Sequence, residues 1–447
     1  MRVVVVGGGV AGLTAAYLLD RRGDDVVVLE AAPEVGGKLR RVEVGGAVVD
    51  VGAEAMLNRR PEGVELAREL GLAVDHPAVQ ASRIWTRGAL RPLPRSVMGV
   101  PVDLAGLGAS GVLSEAGLAR VAAERPGVPV DEDVSVGDLV ASRLGDEVVD
   151  RLVEPLLGGV YAGHARRLSA RATVPQLVAL AARGPLLEAE LPVSDVPVFA
   201  GLLGGMAGLT DALTARVAVR TGATVRELTR TDAGFAVVVG PTTATERIEA
   251  DAVVLATPAA PTARLLAGIV PVAAAELARV EYASMAVVTF AFRAEDVTGL
   301  DDSSGFLVPP VDGRAIKAST FSFAKWAWVR AAGAEHGLVH LRTSLGRHGE
   351  EATLQRPDEE LVAVSLADLA EATGLSGVPV DVHVQRWGGG LPQYAVGHLD
   401  RVARIRAAVA EVPGLALCGA AYDGVGIPAV IASSRRAVAD LGMPAAS

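Results

Sequence analysis

Residues Val3–Glu30 read VVVVGGGVAGLTAAYLLDRRGDDVVVLE, and this stretch decides the fold. The β-branched run at Arg2–Val6 predicts a buried parallel strand, and three glycines follow it directly. Apolar residues then recur at helical spacing in Ala11–Arg22 and stop at Gly23, and Asp25–Leu29 predicts a second strand. Strand, helix and strand within about thirty residues form the β-α-β unit that binds nucleotides.

A glycine motif lies at the junction between the first strand and the helix. Gly7 permits a tight turn, Gly9 lets the backbone approach a pyrophosphate, and Gly12 lets helix and strand pack closely. The helix N-terminus then faces the phosphate charge. Glu30 ends the second strand, 18 positions after Gly12, where it can accept hydrogen bonds from an adenosine ribose. These features predict a bound dinucleotide and leave FAD and NAD both open.

The stretch Gly36-Gly37-Lys38, just after the acid, resembles the FAD-binding signature of the amine oxidase and phytoene desaturase superfamily. The paired glycines let the main chain pass the cofactor, and Lys38 can offset phosphate charge. Further segments resemble motifs of the same superfamily, in the same order: Asp50–Glu54, Gly222–Val225, Ala256–Pro258 and Cys418–Pro428. The resemblance implies FAD, held by Gly7, Gly8, Gly9, Val10, Ala11, Gly12, Glu30, Ala31, Gly37, Lys38, Gly52, Ala53, Glu54, Val225, Trp387, Val425, Gly426 and Ile427.

Three segments resemble one branch of that superfamily, the FAD-dependent protoporphyrinogen and coproporphyrinogen III oxidases of haem synthesis. They are Glu154–Gly163 with Leu168-Ser169, Gly204–Leu209, and Arg386–His398. The resemblance spans nearly the whole chain and implies that Arg83 holds a propionate of the substrate and that Gly159 leaves room for the macrocycle. His164 stands where the family usually has Asp, and Ser434 stands where it usually has Gly.

The predicted fold class is α/β, with a Rossmann-like FAD-binding domain, a second α+β substrate-binding domain and a helical insertion. We assign residues 1–80, 200–270 and 405–447 to a discontinuous FAD-binding domain. Residues 81–199 are predicted to form a mainly helical insertion that borders the substrate pocket and faces the membrane. Residues 271–404 are predicted to form the substrate-binding sheet domain. A length of 447 residues is ample for several apolar cores.

Composition excludes several other classes of function. The net charge of -10, without long runs of one sign, argues against nucleic acid as a partner. A single cysteine, Cys418, and seven histidines without ligand spacing predict no metal site. The chain opens directly on a strand, so we expect a cytoplasmic protein. Contact with the cytoplasmic face of a membrane, through the apolar stretch at residues 97–113, stays open.

The resemblance implies the oxidation of a porphyrinogen to a porphyrin by removal of six electrons, with O2 reoxidising the flavin and releasing hydrogen peroxide. Coproporphyrinogen III is preferred over protoporphyrinogen IX, because its four propionates need a more cationic pocket and basic residues such as Arg166, Arg167 and Lys325 are available. An amine oxidase or a carotenoid desaturase of the same fold is the alternative, and an escort protein that kept the fold is a third. We name no catalytic residue, since no base or nucleophile motif is present and the cofactor carries the chemistry. A transient contact with the next enzyme of haem synthesis also stays open.

Overall fold

The computed structural model describes residues 1–124, 132–187, 189 and 196–442. Its first layer is a parallel sheet, with five strands in the described residues, in which the strand Arg2–Val6 lies at the centre. In spatial order the strands are Ala218–Arg220, Asp25–Leu29, Arg2–Val6, Ala252–Leu255 and Leu415–Leu417. The central strands are valine-rich and buried on both faces, as a parallel sheet covered by helices requires.

Both faces of this sheet are covered. Side chains of Val3 and Val5 pack against one group of helices, while Val4 and Val6 pack against another. The first group contains the helices Val10–Arg21, Pro61–Glu69, Ala207–Thr214 and Ile427–Asp440. The second face is covered by the helices Ala259–Leu266, Pro271–Ala278 and His398–Ala410, and by the antiparallel strands Val225–Thr231, Gly234–Val239 and Glu246–Ala250.

A larger, mixed sheet forms the second unit. Its strands, seven within the described ranges, are in spatial order Asp381–Pro392, Tyr282–Arg293, Leu338–Leu345, Ile316–Thr320, Gly305–Leu307, Arg83–Thr86 and Ala89–Pro92. One face packs on the helix Asp358–Thr373 through Phe290, Phe306 and Leu341. Around this sheet lie the helices Ser322–Lys325 and Ala327–Ala334 and the 3-10 turns Ala294–Asp296, Pro310–Asp312 and Glu351–Gln355. Two of its strands, at residues 83–92, come from the range predicted to be mainly helical.

A helical region follows these two strands in the chain. Its helices are Leu104–Ser110, Glu115–Ala122, Val136–Leu144, Asp146–Val148, Glu154–Tyr161, Ala170–Thr173 and Pro175–Arg183, with a π-helical segment at Val149–Val153. The apolar stretch at residues 97–113 belongs to their core, because Val100, Leu107, Val112 and Leu113 are buried there. Of its larger side chains, Leu104 is the exposed one, at 37%. The stretch therefore packs inside the protein and presents little apolar surface.

Short antiparallel pairings complete the described structure. They are Met56–Leu57 and Val74–Asp75 on either side of Phe199–Leu202, Ser96–Val97 with Val100–Pro101, and Arg41–Val44 with Ala47–Asp50. The last pair is a hairpin whose two-residue turn, Gly45-Gly46, has φ of 58° and 81°. Left-handed backbone at both positions is the geometry that favours glycine in such turns.

Candidate functional site

Two glycines of the motif are required by the packing of the protein itself. Gly7 has a φ of 109°, and a Cβ added there would lie 3.0 Å from the carbonyl oxygen of Ala256. A Cβ added to Gly12 would lie 1.9 Å from the carbonyl oxygen of Gly7. The helix therefore starts directly against the end of the strand, as the spacing of the motif predicts.

Gly9 is a different case, because nothing in the described protein demands glycine there. Its backbone is ordinary extended chain, with φ -79° and ψ 179°, and an added Cβ would meet only the Cα of Gly37, at 4.0 Å. Gly9 is also the N-cap of the helix Val10–Arg21, whose described N-terminus has no side-chain cap and no acidic residue in its first turn. The first main-chain N–H groups of this helix have no intrahelical partner, and such a helix N-terminus is the cradle that a pyrophosphate needs.

Glu30 lies next to this cradle. Its Oε2 accepts a hydrogen bond from the Gly8 amide at 2.6 Å, and its Oε1 accepts one from the Ala32 amide at 2.8 Å. A Cβ on Gly8 would lie 2.9 Å from the Cβ of Glu30, so Gly8 makes room for the acid. The main chain at Ala223 donates to the Glu30 carbonyl at 2.8 Å. This contact brings the start of the strand at Val225 and the exposed Ala31 to the same end of the site.

The segment after the acid returns to the glycine turn. The amide of Gly36 donates to the carbonyl of Gly8 at 2.8 Å, and Gly37, with φ 57°, lies against Gly9. The ammonium of Lys38 forms no hydrogen bond or ion pair with any residue in the described part of the chain. Part of the surface of Lys38 is exposed to solvent. Protein atoms packed around its ammonium nevertheless remove water from it and lower its pKa. A phosphate bound at Gly9 would supply the missing negative charge.

Gly52 and Trp387 meet beside Lys38. A Cβ on Gly52 would lie 2.0 Å from the carbonyl oxygen of Lys38 and 3.2 Å from the indole ring of Trp387. The indole Nε1 donates to the carbonyl of Val51 at 3.3 Å, and the amide of Ala53 donates to the carbonyl of Lys38 at 3.1 Å. The end of the large sheet that carries Trp387 is thereby joined to Asp50–Glu54, which the family resemblance implies passes the flavin ring and which we call the predicted flavin segment.

Glu54 lies in a buried charge cluster that the sequence did not predict. Its carboxylate accepts a hydrogen bond from Lys325 Nζ at 2.6 Å and lies 3.2 Å from the guanidinium of Arg342. Burial raises the pKa of Glu54, but the two cations outweigh it and hold the pKa at about 2. Arg342 also donates to the carbonyl of Gly52 at 2.8 Å, so the cluster fixes the predicted flavin segment.

Asp50 begins the same segment and is also buried. Its Oδ2 accepts a hydrogen bond from the Met206 amide at 2.8 Å, whereas its Oδ1 has no partner among the described residues. Burial raises the pKa of Asp50 to about 6. The hydrogen bond from Met206 lowers this pKa, whereas the charge of Glu54 raises it further. The Gly204–Leu209 segment thus contacts the flavin segment through Asp50.

The segment Cys418–Pro428, which we call the closing segment, supplies a second helix N-terminus. Gly426 is the N-cap of the helix Ile427–Asp440, which has no side-chain cap in the described structure, and Val425 precedes it. Ser434, a departure from the family pattern, is buried in this helix and donates to the carbonyl of Ala11 at 2.8 Å. The Ser434 hydroxyl therefore links the helix Ile427–Asp440 to the helix Val10–Arg21.

Two of the motifs that resemble porphyrinogen oxidases form one network with the segment Cys418–Pro428. The phenol of Tyr394 donates to the Ala420 carbonyl at 2.6 Å and accepts from the Gly424 amide at 2.8 Å. Its ring packs on Tyr161, with centroids 5.6 Å apart. A Cβ on Gly163 would lie 2.1 Å from the side-chain oxygen of Gln393, so the motifs at 154–163 and 386–398 interlock and both support the closing segment.

Gly158 and Gly159 border open space in the helix Glu154–Tyr161. Gly158 is buried, yet an added Cβ would meet no atom within 4 Å, and a Cβ on Gly159 would meet only Leu307, at 3.6 Å. Glycine inside a helix costs about 0.5–1 kcal/mol relative to alanine. Since no packing in the described structure requires either glycine, this helix leaves room for a ligand against the sheet.

Arg83 and Gly159 lie on opposite sides of the large sheet. In the register of the large sheet Arg83 is opposite Phe306, and Ile84 is opposite Leu307. Opposed residues share a face, so Arg83 lies on the face that packs on the helix Asp358–Thr373, whereas Leu307 faces Gly159. Arg83 is half-exposed and pairs with Asp302. The propionate contact of Arg83 stays a prediction, and the register argues against it.

Other charged groups named from the sequence are already paired. Arg166 pairs with Asp146 and Asp150, both at 2.6 Å, and Arg167 pairs with Glu281 at 3.2 Å. His164 bonds Glu154 at 2.9 Å, and this hydrogen bond raises the pKa of the imidazole. These groups are therefore poor candidates for binding an anionic substrate.

Comparison with known proteins agrees with this arrangement. The model of the family of flavin containing amine oxidoreductases matches residues 10–442, and the chain belongs to that family. Within it, the chain is 40% identical to the coproporphyrinogen III oxidase of Mycobacterium tuberculosis, over 97% of this chain and 96% of the relative. It is 29% identical to the coproporphyrinogen III oxidase of Bacillus subtilis, over 98% and 97%. A solved structure from Exiguobacterium sp. 255-15, named provisionally as a protoporphyrinogen oxidase, matches with a TM-score of 0.86 and 30% identity over 99% of both chains.

These findings confirm the α/β fold, FAD as the cofactor and the resemblance to porphyrinogen oxidases. The protein is a flavin-dependent oxidoreductase. Within the ranges that the structure describes, no helix is both long enough and apolar enough to cross a membrane. The individual site residues stay predictions, and the geometry gathers those assigned to FAD around the glycine turn, Glu30, Gly52 and the closing helix.

Proposed function

We propose that this protein oxidises coproporphyrinogen III to coproporphyrin III, using FAD and O2 and releasing hydrogen peroxide. The observation that carries the proposal is the similarity to coproporphyrinogen III oxidases, which extends over nearly the full length of both chains. Six electrons and six hydrogens leave the substrate in three two-electron rounds. Each round reduces one O2 to one hydrogen peroxide, so three of each balance one porphyrin.

Hydride-acceptor chemistry would be supplied by FAD, and the chain's own residues would hold the cofactor and orient the macrocycle against it. Gly9 and the helix Val10–Arg21 would hold the pyrophosphate, while Glu30 would bind the ribose hydroxyls. The N-terminus of the helix Ile427–Asp440 would stabilise negative charge at the flavin ring. Gly158 and Gly159 would admit the macrocycle beside Leu307.

No dedicated base is assigned to this reaction. Protons can leave through the pyrrole nitrogens by tautomerisation, so the reaction does not require one from the protein. The titratable groups with the largest shifts near the flavin segment, Asp50 and Glu54, are buried and bonded to other protein groups. We therefore assign them to holding the flavin segment in place.

The proposal is tested by following porphyrin fluorescence under air with coproporphyrinogen III and protoporphyrinogen IX separately. We expect both the fluorescence and the peroxide to rise with coproporphyrinogen III, at three peroxides per porphyrin. Gly159→Leu would fill the space beside Leu307 and should lower the rate at least about tenfold. Gly268→Leu, where an added Cβ also meets nothing within 4 Å, is the matched control and should keep the rate.

Two other outcomes are informative. A faster rise with protoporphyrinogen IX would make that porphyrinogen the substrate instead. No rise with either, in a protein that carries the yellow flavin absorbance, would contradict the proposal and favour another enzyme of the family. A cytoplasmic location, a peripheral membrane contact and a transient contact with the next haem-pathway enzyme stay predictions.

A further inference from the structure

Two basic side chains are buried next to the space beside Gly159. Lys317 is 3% exposed and Arg347 is 5% exposed. The ammonium of Lys317 donates to the carbonyl of Gly346 at 2.9 Å, and the guanidinium of Arg347 donates to the carbonyl of Val308 at 3.3 Å. Main-chain carbonyls satisfy part of their hydrogen-bonding capacity but carry no net charge.

Two carboxylates, Glu350 and Glu154, lie near this pair, and each is only a partial counter-ion. Glu350 lies 3.7 Å from Arg347 and its side chain is 44% exposed. Glu154, the other nearby acid, already bonds His164 at 2.9 Å and the Ala165 amide at 2.6 Å. Burial, followed by the charge of Arg347, lowers the pKa of Lys317 to about 7. Keeping two cations buried with only partial neutralisation costs free energy, which a bound carboxylate would recover.

The pair also lies close to the strand that borders Gly159. The amide of Val308 donates to the main-chain carbonyl of Lys317 at 2.9 Å, and the guanidinium of Arg347 donates to the carbonyl of Val308 at 3.3 Å. Val308 directly follows Leu307, which is the residue that borders Gly159. Main-chain contacts thus place Lys317 and Arg347 beside the strand residue that follows Leu307.

Lysine is rare in this chain, which makes the choice of residue informative. The sequence contains three lysines, Lys38, Lys317 and Lys325, whereas the other basic side chains are arginine or histidine. Lys38 is at the predicted pyrophosphate and Lys325 bonds Glu54. Lys317 is thus the one lysine for which the flavin site offers no function.

We propose that Lys317 and Arg347 bind one carboxylate of the substrate, a propionate of the porphyrinogen. The assignment rests on the proposed function and names the substrate contact that Arg83 is badly placed to make. Arg347 can present two N–H groups to the carboxylate, and Lys317 adds a compact charge beside them. Such a site favours substrates with more propionates, since each additional carboxylate gives another way to occupy it.

The test compares binding of coproporphyrin III and its tetramethyl ester to the flavin-loaded protein, in one detergent buffer, by porphyrin absorbance. The wild type should bind the free acid at least about tenfold more tightly than the ester. Lys317→Met and Arg347→Met should each weaken binding of the acid about tenfold, the range for a charge-assisted hydrogen bond, and leave the ester unchanged. Lys317→Arg keeps the charge and should stay within about threefold of the wild type.

Controls separate this contact from damage to the fold. Arg247→Met removes an exposed arginine that pairs with Glu249, far along the chain, and should change neither affinity. Removing an unpaired buried charge should leave the melting temperature unchanged or raise it, so Lys317→Met is expected to fold and bind FAD. If a methionine variant loses its flavin absorbance, Lys317→Gln and Arg347→Gln replace it.

An unchanged ratio of acid to ester affinity in both variants would overturn the assignment, and so would equal loss of both ligands. The binding measurement needs no turnover, so it is independent of the oxidase assay. A wild type that oxidises coproporphyrinogen III while both variants keep the wild-type ratio would refute this contact and leave the proposed function standing. A wild type that oxidises neither porphyrinogen would refute the proposed function, whatever the ratio of acid to ester affinity.

Discussion

Glu54 accepts a hydrogen bond from Lys325 at 2.6 Å, and the two residues are 271 positions apart in the sequence. Glu54→Gln would leave Lys325 and Arg342 buried without their counter-ion. We expect this change to cost about 3–5 kcal/mol of stability at pH 7, measured by urea unfolding in excess FAD. Glu54→Gln combined with Lys325→Met should cost less than Glu54→Gln alone. Equal costs would contradict the pairing.

The same pair predicts how stability depends on acid. Because the pKa of Glu54 is lowered to about 2, its contribution is fully present above its unfolded value near pH 4.5. The contribution is lost as the pH falls toward 2. The stability difference between the wild type and Glu54→Gln should therefore shrink on acidification below pH 4.5.

Asp50 predicts the opposite trend. Burial raises its pKa from 3.8 to about 6, so the protonated carboxyl stabilises the fold below pH 4 and this contribution disappears as the pH passes 6. Asp50→Asn keeps an acceptor for the Met206 amide and removes the charge. We expect its stability relative to the wild type to increase by about 3 kcal/mol between pH 4 and pH 8, since one pKa unit corresponds to about 1.4 kcal/mol. A difference that is independent of pH would show that Asp50 does not titrate in this range.

Gly9 and Gly12 should respond differently to the same substitution. A methyl group at Gly9 meets no atom of the described protein closer than 4.0 Å, so Gly9→Ala should fold with a melting temperature close to the wild type. It should nevertheless bind FAD at least about tenfold more weakly, measured by titrating FAD into the flavin-free protein. Gly12→Ala places a methyl group 1.9 Å from a carbonyl oxygen and should lower the melting temperature itself. Tight FAD binding by Gly9→Ala would contradict the pyrophosphate cradle.

Arg83 provides a test of the sheet register. Because its side chain pairs with Asp302 on the face away from Gly159, we expect Arg83→Met to change the KM for coproporphyrinogen III by less than about twofold. A KM that rises several-fold while kcat is kept would instead support the propionate contact implied by the family resemblance. Steady-state kinetics under air distinguish the two outcomes.

The sequence predicted the parts of the site that depend on local order along the chain. The glycine turn, Glu30 and the start of the helix Ile427–Asp440 follow from motifs whose residues are close in sequence, and each follows the carboxyl end of a strand of the parallel sheet. The partners of Glu54 could not be predicted in this way, since Lys325 and Arg342 come from the other sheet and carry no motif.

The position of Arg83 could not be predicted from local sequence either. A period of two decides which face of a strand a residue occupies, and the face that is used depends on strands that pair over long distances. Here Phe306, more than two hundred positions away, fixes the face of Arg83. Lys317 and Arg347 are likewise buried where the loop after Leu338–Leu345 meets the strand Ile316–Thr320. No local sequence pattern predicts this burial.

The scarcity of lysine has a practical consequence. Reductive methylation with isotopically labelled formaldehyde would place NMR-visible methyl groups on only three side chains and the N-terminal amine. Lys38, Lys317 and Lys325 would then report separately on the pyrophosphate end of the flavin, the proposed carboxylate contact and the anchor of the flavin segment. One spectrum of the whole 45.7 kDa chain would thus follow cofactor loading and substrate entry as separate events.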